Sequence, residues 1–402
     1  MKITKIANRQ LLFILFMMRT TVTIAFLPVL TSADAAQDAW VAALFTFLGS
    51  AVIVILVAAL GAKYPKQTIV EYSTALVSTW PGKVVSAVVL WALFTIAATD
   101  VRIYGEVLVT GFLVQTPLAV IIGGMVFVAA VAAWQGIEVI ARVADTLFPL
   151  FVLMLVLSLG MVVPLVEIRN LQPVMARGLL PVVRGSITPT AIAAQMLVLT
   201  MLIPAVTEPN RALATALWAL AGSSLVLVVV AVVTVGILGP EQASRSVFPF
   251  YVLTRSIEVT EFVQRIEVLP MFAWGFGLFI GIATLIYSLA YGLAQVLGLA
   301  DYRPLVFPLA ALQTTFSVQA YKDVFELLRF FKPRVVGPYI LAWFILSLFP
   351  LWAAHFIRTV WGSRRQGGSD GQGRVWGQIL AVFSFASYRP LCDYQHRLLG
   401  SA

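Results

Sequence analysis

The sequence predicts an all-α integral membrane protein of about ten transmembrane helices. Three observations carry this. Of 402 residues, 60% are hydrophobic and only 11% are charged, whereas soluble domains carry about a quarter charged residues. The mean hydropathy is +0.95. The apolar residues also gather into runs near the roughly 20 residues that a helix needs to cross the hydrocarbon. A surface of this composition suits lipid, which accepts apolar side chains and rejects charge.

The runs cover residues 10–30, 40–62, 83–114, 118–134, 139–166, 187–206, 213–238, 269–297, 305–318 and 338–356. The first continues into Phe26-Leu27-Pro28 with no small-residue cleavage pattern behind it. It therefore reads as a span and not as a signal peptide. The ninth is short. An even count puts both termini on one side. That side gathers Lys2, Lys5, Arg9, Lys63, Lys66, Lys83, Arg142, Arg211 and Arg303, while the first opposite loop carries Asp34 and Asp38 and no Lys or Arg. The positive-inside rule makes that side cytoplasmic. Later opposite loops run against the pattern with Arg169, Arg177, Arg184, Arg245, Arg255 and Arg265.

Segments 246–268 and 321–331 interleave apolar and charged residues. Both read as amphipathic pieces lying on the membrane surface or over a vestibule. Residues 1–362 form one transmembrane domain, with halves of about 9–166 and 187–360. Residues 363–402 form a cytoplasmic tail that opens with a flexible Gly/Ser/Arg/Gln stretch.

Composition also excludes functions. The net charge of +9 lies mostly in loops and termini, so it reads as topology and not as a nucleic-acid surface. The single cysteine, Cys392, rules out an internal disulfide and a Cys-based zinc site, and two histidines leave little for metal chemistry. There is no Walker sequence, nucleophile elbow or His-Glu-x-x-His. No enzyme, cofactor, metal or primary pump is expected.

A transporter-like bundle of this kind places its ligand near the midplane, where two helices are interrupted. Freed N–H groups there face an anionic group such as a carboxylate. Two polar clusters fit that pattern. Span one holds Arg19-Thr20-Thr21-Val22-Thr23 before Pro28, and span six holds Ser186-Ile187-Thr188-Pro189-Thr190 and Gln195 before Pro204. Arg19 precedes Pro28 by the same interval as Gln195 precedes Pro204, a weak internal repeat that fits a five-plus-five inverted arrangement. The ligand-binding candidates are Thr20, Thr21, Val22, Thr23, Thr190, Gln195 and Thr284. The competing reading is structural: Thr and Ser bond back to their own helix, and Pro only kinks it.

Arg19, Asp100, Arg102, Glu106 and Asp145 are the intramembrane charges. A charge at a helix centre costs at least about 2.5–3.5 kcal/mol on insertion scales. Arg19 either snorkels to the near surface or serves the site. Arg102 and Glu106 stand at i, i+4 and read as an ion pair locking span three to a neighbour. Asp145 is a candidate proton-linked carboxylate, or it touches the headgroups. Gly277 and Gly281 make a GxxxG pattern, which reads as close helix packing, with Thr284 adding a hydroxyl to the cavity wall.

Several fragments, in order, resemble the endospore germination permease family, the B-subunit class of germinant receptors. They are Lys2-Ile3-Thr4 with Arg9-Gln10-Leu11, then Phe26-Leu27-Pro28 with Gln37-Asp38-Ala39-Trp40. Tyr64-Pro65 with Thr68-Ile69-Val70-Glu71-Tyr72 follows, then Arg102 and Gln115-Thr116-Pro117. The set ends with Gly136 to Arg142, Phe148-Pro149, Phe248-Pro249 and Phe262-Val263-Gln264-Arg265-Ile266-Glu267. The resemblance implies a LeuT-like fold within the amino-acid permease superfamily. It implies the inner membrane of a bacterial spore, and partners in a germinant-receptor A subunit and a C-subunit lipoprotein. The ligand it implies is a small germinant, often an amino acid, whose binding triggers germination. This chain departs from the family pattern in having Thr21 and Thr23 where glycines usually stand, and Gln195 where Glu is frequent. A gradient-driven amino-acid or amine transporter and a ligand-free structural platform are the rival functions.

Overall fold

The computed structural model describes residues 4–25, 27–246 and 268–366, without the side chains of 23–25, 27–29, 268 and 360–366. Most of segment 246–268 and the tail beyond 366, both singled out in the sequence, lie outside the described residues. Two compact units divide the chain, residues 1–348 and 349–402.

The described elements are helical. Span one runs as α1 (Asn8–Ala25) and α2 (Leu27–Ala35), and a 3-10 turn over Ala36–Asp38 leads into α3 (Ala39–Lys63). The short α4 (Ile69–Val77) starts where the Glu71 carboxylate accepts the Thr68 N–H at 2.8 Å, satisfying a donor that a helix start leaves open. The long helices α5 (Thr79–Gly111), α6 (Leu118–Gln135) and α7 (Ile137–Val162) follow. Span six is composite, with α8 (Leu179–Ile192), a 3-10 stretch over Ala193–Val198 and α9 (Leu199–Leu202). Then come α10 (Ala212–Arg245), α11 (Val268–Leu297), α12 (Arg303–Gln319), α13 (Val324–Phe330) and α14 (Pro333–Gln366). Helix α10 breaks at Gly239, whose φ of 74° only glycine adopts without strain. Pro240 forces the break, because it disfavours a helical residue before it. Segment 321–331 contains α13, whose N-terminus is capped by Asp323 accepting the Glu326 N–H at 2.8 Å.

Eight helical stretches among the described residues are long and apolar enough to cross a membrane. Two expected spans fall outside that set. Helix α1 places Arg9 and Arg19 among its 18 residues. Helix α12 has 17 residues, about 26 Å at the α-helical rise, short of the roughly 30 Å hydrocarbon. Large apolar side chains such as Leu48, Phe127, Val156 and Leu225 point outward. A surface like that is stable only in lipid. The chain is a multi-pass membrane protein.

Helix α11 is central, packing on α1, α5, α6, α7 and α12. Helix α1 lies between α11, α10 and α7, with Phe13 stacked on Phe148 of α7 at 3.8 Å. Helix α3 packs along α10 and α8. The 3-10 stretch of span six packs on α1, α3 and α5.

Candidate functional site

The geometry begins with Pro189. Inside α8 it has no N–H to donate, and one turn later the helix loses its α register. The Ala193 N–H turns to the carbonyl of Thr190 instead of that of Pro189. Residues 193–198 continue as a 3-10 stretch, a form that marks strain or a hinge inside a longer helix. The Pro189 carbonyl accepts instead from Nη2 of Arg19 at 2.9 Å.

Arg19 is 1% exposed. It does not snorkel: its head is buried against Pro189 of α8. Its charge interacts with the carboxylate of Asp100 on α5, which is partly exposed. A buried guanidinium persists only when paired and hydrogen-bonded. Arg19 thus joins span one to span six.

Span one differs from expectation. Residues 20–23 are helical within α1, so their N–H groups are not freed for a ligand carboxylate. No glycine stands there to leave the helix. The Thr21 hydroxyl instead donates to the Met17 carbonyl one turn back at 2.7 Å. Thr21 also sits against α11, where a Cβ on Gly277 would collide with its Oγ1 and lie 2.8 Å from the Met17 carbonyl oxygen. At Gly281 a Cβ would lie 3.3 Å from Met18 Cγ. The GxxxG pair is therefore the seam on which α1 and α11 meet, as small residues permit.

The remaining candidates separate. Val22 is buried, and the side chain of Thr23 lies outside the described ones. Thr190 packs on α3, where a Cβ on Gly49 would come within 2.8 Å of it. Thr284 is buried and donates to Ile280 of its own helix at 2.7 Å. Gln195 is different. It is 0% exposed, and neither its amide oxygen nor its amide nitrogen has a hydrogen-bond partner among the described residues. The Thr20 hydroxyl is likewise buried and unpartnered. So is Ser50 of α3, which the sequence reading missed. Its signal was a hydroxyl beside Gly49, one of two with Thr46 in an otherwise apolar run. An unmet buried polar group costs about 1–3 kcal/mol, so each of these groups points to water or a ligand.

Two charged groups serve elsewhere. Arg102 pairs with Glu106 at 2.7 Å and also donates to the carbonyls of Ser317 at 3.2 Å and Val318 at 2.7 Å. Those carbonyls belong to the last turn of α12, where a cation complements the helix dipole. The ion pair thus clamps span three to span nine. Asp145 accepts from Gln10 at 2.8 Å and pairs with Arg9 at 3.3 Å, tying α7 to the first turn of α1. That first turn is held further. Ile6 forms a parallel bridge with Val206, and Lys5 donates to the Pro204 carbonyl at 2.7 Å. Among the described residues, no cluster of His, Cys, Asp and Glu is arranged to hold a metal.

Residues 5–323 match the family model described as spore germination protein. The chain belongs to the spore germination protein family. Two curated members from Bacillus subtilis (strain 168) set the scale of that relationship. Spore germination protein KB is 26% identical over 380 residues, which is 92% of this chain and 99% of that protein. Spore germination protein YndE is 25% identical over 295 residues, 73% of this chain and 81% of that one. Among solved structures, MhsT in complex with L-phenylalanine superposes with a TM-score of 0.65 at 16% identity, covering 96% of this chain and all of that one. This spore germination family member therefore has a LeuT-like fold, and its family is one of permeases and not of enzymes.

Proposed function

We propose that this chain is the membrane subunit of a spore germinant receptor, and that it binds a small germinant, an amino acid, at the interruption of span six. The ligand enters between spans one, three, six and eight, and its binding triggers germination. Both termini face the cytoplasm in this reading. The membrane is the spore inner membrane, and the partners are an A subunit and a C-subunit lipoprotein. The observation that carries the site is Gln195, an amide wholly buried in the 3-10 stretch with neither polar atom satisfied. The family and the LeuT-like fold support a midplane ligand, which such folds place where helices break. Arg19 donates to the Pro189 carbonyl beside this stretch, which puts a positive charge near the break. Thr20 and Gln195 contact the ligand, and Thr284 closes the wall.

The test is a thermal-shift scan of the purified chain in nanodiscs against amino acids, nucleosides and sugars. A binder at about 100 times its Kd adds about 2.7 kcal/mol of stability. A shift from a small amino acid that disappears in Gln195→Ala supports the site. A shift that survives Gln195→Ala moves the site elsewhere. Uptake into proteoliposomes by the chain alone would replace receptor with gradient-driven transporter, the reading the fold neighbour also favours.

A further inference from the structure

The loop between spans five and six, residues 163–178, is tied down by its polar groups and turns apolar side chains outward. The Glu167 N–H and the Asn170 amide donate to the Gly236 carbonyl of α10 at 3.1 and 2.9 Å. The Met175 N–H donates to Oδ1 of Asp38 at 2.8 Å, and the Gln37 amide donates to the Pro173 carbonyl at 3.2 Å. Leu171 packs against the buried cluster of Ala39, Ala231, Val235 and Ala243. With the loop fixed in this way, Ile168 is still 70% exposed and Val174 is 51% exposed.

The same surface continues onto α8. Leu180, Arg184 and Ile187 are all exposed, and positions i, i+4 and i+7 share one helix face. Arg184 therefore stands between two apolar side chains on an outward stripe. It is the sixth residue of α8, about 8 Å along the axis, so its long side chain can snorkel back to the headgroups. Arg177, just before the helix, is exposed as well. Arg169 pairs with Glu167 at 2.8 Å, but Arg177 and Arg184 form no ion pair among the described residues. No Asp or Glu occurs from residue 168 to residue 207. These two are among the arginines that run against the charge pattern of the sequence.

We propose that this surface binds anionic phospholipid, with the lipid phosphate held by Arg177 and Arg184 and the acyl chains lying against Leu180 and Ile187. The proposal stands apart from the ligand site at span six and needs only that the chain spans a membrane. A charge left against hydrocarbon is costly, so Arg184 needs an anion where the apolar stripe meets the headgroups. A phosphate suits a guanidinium, which binds it through two parallel N–H donors. A phospholipid brings that phosphate and apolar tails in one molecule, which is the pairing this surface offers. Apolar side chains beside arginines at the membrane boundary are the pattern of an interfacial segment drawn to anionic lipid.

The experiment titrates the full chain in detergent with phosphatidylglycerol and with phosphatidylcholine, and reads bound lipid by native mass spectrometry. Each arginine that meets anionic headgroups contributes about fivefold. Arg177→Gln/Arg184→Gln should therefore weaken phosphatidylglycerol binding by about 25-fold and leave phosphatidylcholine unchanged. Both side chains are exposed, so melting in phosphatidylcholine nanodiscs should match the parent. Arg177→Lys/Arg184→Lys keeps the charge and should keep most of the preference. Leu180→Ser should weaken both lipids, because it removes an apolar contact that their tails share. Equal phosphatidylglycerol binding by the parent and the double glutamine variant overturns the proposal and leaves the arginines to an acidic protein partner. Displacement of the lipid by inorganic phosphate, with Leu180→Ser without effect, also overturns it and makes the site one for a free anion.

Discussion

Nη2 of Arg19 donates to the Pro189 carbonyl at 2.9 Å, the carbonyl that the Ala193 N–H abandons where span six leaves the α register. One long side chain from span one thus completes the backbone of span six. With Asp100 sharing the charge, the pair should behave as a unit. Arg19→Met is expected to destabilise by about 1–3 kcal/mol, the cost of leaving the buried Pro189 carbonyl without its donor. In Arg19→Met/Asp100→Asn the loss should be smaller than the sum of the single losses, with a coupling of about 0.5–3 kcal/mol. Strict additivity in thermal unfolding would remove the electrostatic link.

The seam between α1 and α11 gives the second expectation. Gly277→Ala drives a methyl into the Thr21 hydroxyl and the Met17 carbonyl, and overpacking of this kind costs about 1–3 kcal/mol. Thr21→Val keeps the shape and loses only a bond within the helix, so ligand response should stay at the parental level. A lost response in Thr21→Val would return that hydroxyl to the ligand site.

Arg102 holds Glu106 and two carbonyls of α12 at once. Arg102→Met should lower stability by about 3–5 kcal/mol. Glu106→Gln should cost less, because the arginine keeps its two carbonyl partners. Equal losses in the two variants would show that the carbonyl contacts contribute nothing.

The N-terminal strap can be cut at one atom. The Ile6 N–H donates to the Ala205 carbonyl at 2.8 Å, and the Ile6 carbonyl accepts from Thr207 at 2.9 Å. Ile6→Pro removes the donor and its pairing geometry. Hydrogen exchange at Thr207 should then rise toward that of an open amide. Unchanged protection there would mean that Thr207 is held by something other than the strap.

Tyr321 stands between spans and shares a hydrogen bond of 3.2 Å with Thr99. Burial pushes its phenol above the ordinary tyrosine value, which is about 10. The folded form holds the proton more tightly than the unfolded chain. Its contribution is complete below about pH 10 and is lost as pH rises toward the folded value. Alkaline unfolding should therefore begin later in Tyr321→Phe, and an identical onset would sink the assignment.

Much of this was legible in the residues. Hydropathy placed the helices, because the bilayer demands apolar stretches of fixed length wherever the chain folds. Arg102 and Glu106 declared their pairing through an i, i+4 spacing that any helix enforces. The polar clusters around Arg19 and Gln195 were visible because hydroxyls, amides and charges are costly in hydrocarbon. What sequence could not say is which polar atoms are already consumed. Thr21 and Thr20 are neighbours of one residue type, yet one hydroxyl bonds back to Met17 and faces Gly277 while the other is buried without a partner. Pro189 announced a disturbance in span six, but a proline does not reveal who takes its own carbonyl once the Ala193 N–H turns elsewhere. That depended on Arg19 arriving from 170 residues away. Ser50 was one serine in an apolar run until the packing buried its hydroxyl without a partner among the described residues. Residue type and spacing fixed the local chemistry. Only the tertiary packing decided which groups remain open, because satisfaction of a buried polar atom is a property of its neighbours.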